Sequence, residues 1–200
     1  MKGALLQLAD FPAASSLVRL FLDRADALAD QPFLGRKRGG DWTLLTWAEA
    51  ADRVCLLAEA LRDLDLATGD RVLIVAENRP EWCIADIAIM AAGLVTTPAY
   101  ITNTAADHAH ILADSGARAL VTQPPRAATL AAGDVPAACD VVDEGSLRHA
   151  GLDPASTVPR AEWHEGRWTP AQGRGDEVGE LAAILYTSGS TGRPKGVMLT

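Results

Sequence analysis

Tyr186-Thr187-Ser188-Gly189-Ser190-Thr191-Gly192-Arg193-Pro194-Lys195-Gly196-Val197-Met198-Leu199-Thr200 is the stretch around which the chain is organised. The apolar run Leu181 to Leu185 leads into it, and Val197-Met198-Leu199 is apolar again, which predicts strand, loop, strand. Between the runs lie four hydroxyl side chains, Thr187, Ser188, Ser190 and Thr191, with Gly189, Gly192, Gly196 and Lys195. Such a loop suits polyphosphate. Glycines permit positive φ and close backbone approach to an anion, and successive N–H groups can converge on it. Hydroxyls add uncharged donors, and Lys195 adds a compact point charge. Pro194 stiffens the turn before it.

The spacing differs from the Walker loop, which needs Gly, four residues, then Gly-Lys-Ser/Thr. That disfavours a P-loop ATPase or kinase. The same composition also suits a flexible linker or a plain hairpin turn. The tight apolar flanks and the Pro194-Lys195-Gly196 triplet argue against those readings.

The whole stretch resembles the signature loop of the acyl-adenylate-forming superfamily, the AMP-binding enzymes. These include acyl-CoA synthetases, luciferases and the adenylation domains of peptide synthetases. The resemblance reaches upstream to about Thr46. Gly69-Asp70-Arg71-Val72-Leu73-Ile74-Val75-Ala76-Glu77-Asn78-Arg79-Pro80-Glu81-Trp82 resembles long-chain fatty-acid:CoA ligases in particular. So do Thr97-Pro98-Ala99-Tyr100-Ile101-Thr102-Asn103-Thr104 and Asp114-Ser115-Gly116-Ala117.

Composition sets the outer bounds. With 200 residues the chain can bury roughly 70% of its unfolded surface. Its 48% hydrophobic and 22% charged content is that of an ordinary globular protein. A net charge of −8 and the absence of a basic stripe argue against nucleic acid as a partner, but not against ATP, which needs only local positive charge. Cys55, Cys83 and Cys139 are widely spaced, which favours reduced, buried thiols over disulfides or a zinc site. Gln7 and Asp10 interrupt any signal-like apolar segment, and no run reaches the roughly 18 apolar residues of a membrane span. A cytoplasmic location is expected, with peripheral membrane contact left open.

Along the chain, Ser15 or Ser16 caps a helix to about Ala29, with Leu17, Leu20, Phe21 and Leu28 near one face. Phe33 to Leu45 reads as a hairpin with Arg36-Lys37-Arg38-Gly39-Gly40 as a solvated basic turn. Thr46 and Glu49 form a capping box before a helix with Val54, Leu57, Ala58, Leu61 and Leu64 on one stripe. The continuous run Val72 to Ala76 predicts a strand buried on both faces.

A helix over 81–92, a strand over 94–97, a helix capped by Thr104 with Asp107 three residues on, running through Leu112 and ended by Gly116, a strand over 119–122, a short helix over 124–132 and a strand over 140–142 follow. Strands alternating with helices imply an α/β fold, a doubly wound and mainly parallel sheet with helices on both faces. Trp82 and Cys83 are read as core. His108 and His110 are read as solvated helix positions.

The resemblance implies one partial N-terminal AMP-binding domain over 1–200: an N-terminal helix and hairpin (1–45), βα layers (46–142), a surface connector (143–178), and the strand and phosphate-binding loop (179–200). It implies a two-step reaction in which a carboxylic acid and ATP give an acyl-adenylate and pyrophosphate, after which coenzyme A displaces AMP. Magnesium is expected with ATP. Contact with the β- and γ-phosphates is carried to Thr187, Ser188, Gly189, Ser190, Thr191, Gly192, Lys195 and Gly196, with Lys195 as the catalytic charge.

Family members are considerably longer. The later acidic motif, the ribose-binding aspartate, the hinge and the small C-terminal domain are expected beyond Thr200. The chain by itself is therefore expected to be inactive and to expose apolar surface meant for the remainder. A non-catalytic nucleotide-binding or interaction module, and adenylation of an amino or aryl acid, stand as alternatives.

Overall fold

The computed structural model describes residues 16–123, 140–143, 182–187 and 194–199. Its helices are α1 (Leu17–Leu28), α2 (Trp47–Arg62), α3 (Pro80–Ala91) and α4 (Ala105–Ser115). Its strands are β1 (Pro32–Arg38), β2 (Asp41–Thr46), β3 (Arg71–Val75), β4 (Val95–Pro98), β5 (Ala119–Thr122), β6 (Asp140–Asp143), β7 (Ala183–Thr187) and β8 (Lys195–Leu199).

Local sequence accounts for most element ends. Ser16 accepts a hydrogen bond from the Arg19 amide at the start of α1. Thr46 and Glu49 exchange side-chain and backbone bonds at α2, and Thr104 and Asp107 do the same at α4. Pro80 opens α3 at the one place where a missing N–H costs nothing. Gly116 closes α4 in the left-handed conformation, φ 60° and ψ 37°. Arg71 reinforces that end by donating to the carbonyls of Ser115 at 2.7 Å and Gly116 at 2.8 Å.

The main sheet runs β6-β5-β3-β4-β7-β8. Every neighbouring pair is parallel except β7 with β8. The buried run on β3 divides between two layers. Val72 and Ile74 pack with α1, α2 and α3, against Phe21, Leu57, Leu61, Ile84 and Ile89. Leu73 and Val75 pack on the opposite face with Ile111 and Leu112 of α4 and with Ile184 and Tyr186 of β7. Each fully buried aliphatic side chain contributes roughly 1.5–3 kcal/mol. The expected α/β, doubly wound, mainly parallel sheet is therefore what forms, with an antiparallel strand at one edge.

Several local expectations are corrected. In α1 the buried residues are Val18, Phe21 and Ala25, while Leu17 is exposed. Arg36, Lys37 and Arg38 lie in β1, and the turn is Gly39-Gly40 alone. Arg36 is not a solvated tip: its guanidinium bonds Glu81 at 3.1 Å. Cys55 and Cys83 are half-buried rather than buried, because each sits at the margin of its helix's apolar stripe. Trp82 packs against the core while remaining partly exposed. The short helix expected over 124–132, Cys139, the 144–178 part of the expected connector and residues 179–181 of the segment after it lie outside the described residues. Among the described residues no helix is long and apolar enough to cross a membrane.

Candidate functional site at the β7–β8 hairpin

The parallel strands β3, β4 and β7 end at one edge of the sheet, at Val75, Pro98 and Thr187. The crossover after β3 covers one face through α3, and α4 after β4 covers the other. Open α/β sheets bind ligands outside strand carboxyl ends where successive crossovers diverge in this way. Thr187 emerges at that edge, one strand further along.

β7 and β8 form an antiparallel hairpin in which Tyr186 faces Gly196 and Thr187 faces Lys195. Ala182 ties both sides together: its carbonyl accepts from the Thr96 amide at 3.2 Å, and its own amide donates to the Leu199 carbonyl at 2.8 Å. Thr187 and Lys195 are therefore the last registered pair before the connecting loop. Both are exposed, and among the described residues no carboxylate pairs with Lys195. Ser188, Gly189, Ser190, Thr191 and Gly192 lie outside the described residues.

Gly196 is needed for a different reason than positive φ. It sits in extended strand β8 and is not among the glycines with φ in the left-handed region. A Cβ there would lie 2.9 Å from Ile184 Cγ2 and 3.2 Å from Tyr186 Cζ. The Tyr186 ring passes directly under the Gly196 backbone, so only glycine lets the hairpin close over it.

Tyr186 is held by α4, which covers the same face of the sheet. Its hydroxyl donates to Asp114 Oδ2 at 2.6 Å. Burial first, then that bond and the Asp114 charge, push its ionisation well above the usual tyrosine range, so it stays a neutral donor. His110, one turn earlier on α4, bonds the Pro194 carbonyl through Nε2 at 3.2 Å. A carbonyl has no proton to give, so Nε2 carries the hydrogen.

The expectation that His108 and His110 are solvated is overturned. His108 is 2% exposed and donates Nε2–H to the Tyr100 carbonyl at 3.0 Å, and His110 is half-buried. Sequence reasoning missed this because both partners are backbone carbonyls of loops outside α4. The available signal was the spacing of His110 and Asp114, which places both on one helical face.

The hairpin strands themselves carry exposed apolar residues: Leu185, Val197, Met198 and Leu199, with Met198 at 70% exposure.

The fold and site define an α/β domain in which the sheet edge at the strands' carboxyl ends carries a hairpin whose connecting sequence is rich in glycine and hydroxyl residues, with a lysine at its base. The family model for the AMP-binding enzymes matches residues 21–200, and the chain belongs to that family. It is 37% identical over 174 residues to the long-chain-fatty-acid–CoA ligase FadD15 of Mycobacterium tuberculosis, covering 80% of this chain and 27% of that protein. It is 34% identical over 197 residues to the L-proline–[L-prolyl-carrier protein] ligase of Streptomyces coelicolor, covering 94% of this chain and 35% of that one. Among solved structures, the AMPPNP-bound form of the nonribosomal peptide synthetase FmoA3 superposes with a TM-score of 0.69 at 28% identity, over 94% of this chain and 17% of the other. The chain thus spans about a third or less of these proteins.

Proposed function

We propose that this chain supplies the phosphate-binding loop of an ATP-dependent, AMP-forming acid–thiol ligase, acting on a long-chain fatty acid. The observation that carries the proposal is the Thr187–Lys195 pair, which closes the loop at the ligand edge of the sheet within a sequence that belongs to the AMP-binding family.

In the first step a carboxylate oxygen attacks the α-phosphorus of ATP, the bond to the bridging oxygen breaks, and pyrophosphate leaves. In the second a thiol, that of coenzyme A, attacks the acyl carbon and AMP leaves. Charge moves between oxyanions throughout, so fixed donors and cations matter more than a protein nucleophile. Lys195 and the hydroxyl of Thr187, with Ser188, Gly189, Ser190, Thr191, Gly192 and Gly196, hold the β- and γ-phosphates and so steady the leaving pyrophosphate. Magnesium accompanies ATP in this reading. Among the described residues no three His, Cys, Asp or Glu side chains converge to hold a metal ion, and no step above passes through one.

The identity to FadD15 favours a fatty acid. The carrier-protein ligase, similar over more of this chain, favours the second reading, adenylation of an amino acid. ATP–pyrophosphate exchange by the protein expressed from the complete reading frame, assayed against fatty, aryl and amino acids, separates them. Exchange stimulated by long-chain fatty acids alone is expected. Stimulation by an amino acid replaces the first reading with the second, and exchange with no acid contradicts both.

A further inference from the structure

The two ends of the loop are gripped by one face of one helix. His110 and Asp114 are four residues apart, so they project from α4 on the same side. Asp114 holds the Tyr186 hydroxyl, on the residue immediately before Thr187. His110 holds the Pro194 carbonyl, immediately before Lys195. The pair that closes the loop therefore has each member tied, one residue upstream, to the same rigid element.

The His110 bond bears directly on Lys195. The Pro194 carbonyl and the Lys195 N–H belong to one planar peptide unit. Fixing that carbonyl fixes the plane from which the Lys195 Cα departs. Proline has no N–H, so its carbonyl is the sole backbone hydrogen-bonding group through which Pro194 can be held. Core packing does not require these bonds. His110 is half-buried and Asp114 exposed, whereas the apolar contacts of α4 with the sheet come from Ile111 and Leu112.

We infer that His110 and Asp114 are positioning residues for the phosphate loop, setting the direction in which Thr187 and Lys195 meet the nucleotide. The inference rests on the phosphate-loop reading above and assigns the two α4 side chains a role in ATP affinity rather than in acid selection.

The test is pyrophosphate exchange by the protein from the complete reading frame, comparing wild type with His110→Ala and His110→Gln. For His110→Ala, KM for ATP should rise roughly two- to tenfold, the loss of one hydrogen bond, while KM for the acid stays unchanged. His110→Gln, whose amide nitrogen can donate at similar reach, should recover most of the loss. Equal changes in both KM values, an unchanged KM for ATP, or no recovery with glutamine would overturn the inference.

Amide hydrogen exchange reads the same grip without turnover. Faster exchange at Lys195 and Gly196 in His110→Ala, with β3 unchanged, supports it, and identical exchange overturns it. A wild type that exchanges pyrophosphate with no acid removes the functional reading, and the amide result then decides the grip by itself.

Discussion

Thr187 and Lys195 are Cα partners across β7 and β8, the last such pair before the chain turns. A hydroxyl and an ammonium group are thereby held at one mouth by backbone register rather than by a flexible side-chain contact. Lys195→Ala removes the charge while leaving the strand pairing intact. The expected outcome is a fall of roughly 10- to 100-fold in kcat/KM for ATP, the worth of one charge-assisted hydrogen bond, measured by pyrophosphate exchange. The thermal midpoint should stay within a degree or two of wild type, since an exposed strand position changes stability little.

Gly196→Ala should act the other way, on folding before chemistry. The new methyl would press on Ile184 and on the Tyr186 ring, neither of which can retreat from the α4 interface. A loss of about 1–3 kcal/mol is expected in urea unfolding of the chain. A smaller second effect on ATP affinity follows, because Tyr186 is displaced from Asp114.

Two half-buried acids on α3 predict opposite pH responses. Burial pushes the Asp86 carboxyl above its usual range, against a lowering by the Thr96 hydroxyl that donates to it at 2.7 Å. Between the ordinary aspartate value near 4 and the raised one, the native chain holds a proton that the unfolded chain has lost, so stability falls as pH rises through that window. Asp86→Asn keeps an acceptor for Thr96 and should flatten that decline in thermal scans.

Glu81 behaves inversely. Burial raises it, but hydrogen bonds from Arg79 and from its own backbone, with the Arg79 and Arg36 charges, outweigh that and leave it below the usual glutamate range. Its contribution is complete above the ordinary value and is lost as pH falls through the depressed one. Glu81→Gln should therefore narrow its stability deficit relative to wild type as the solution is acidified. At neutral pH the cost should be below about 1 kcal/mol, because the Arg36 and Arg79 pairs are partly exposed.

What the sequence disclosed and what it hid divide by range. The capping box at Thr46, the Thr104 cap, the Gly116 stop and the continuous apolar run of β3 are local patterns, and each led to the right element. The hairpin was visible too, because apolar runs bracket the glycines and hydroxyls. Contacts made across the chain were not. Arg36 looked like a solvated turn because its partner Glu81 is 45 residues on. His110 looked solvated because its partner is a backbone carbonyl 84 residues on, with no side-chain signal. Gly196 was assigned to backbone freedom when its need is space, which the Ile184 and Tyr186 side chains beneath it show.

A crystal of the protein from the complete reading frame, grown with a non-hydrolysable ATP analogue and magnesium, would locate the triphosphate. The β- and γ-phosphates are expected at the β7–β8 loop, with Lys195 Nζ within hydrogen-bond distance of a phosphate oxygen. A triphosphate bound elsewhere on the protein, with Lys195 pointing into solvent, would contradict the phosphate-loop reading.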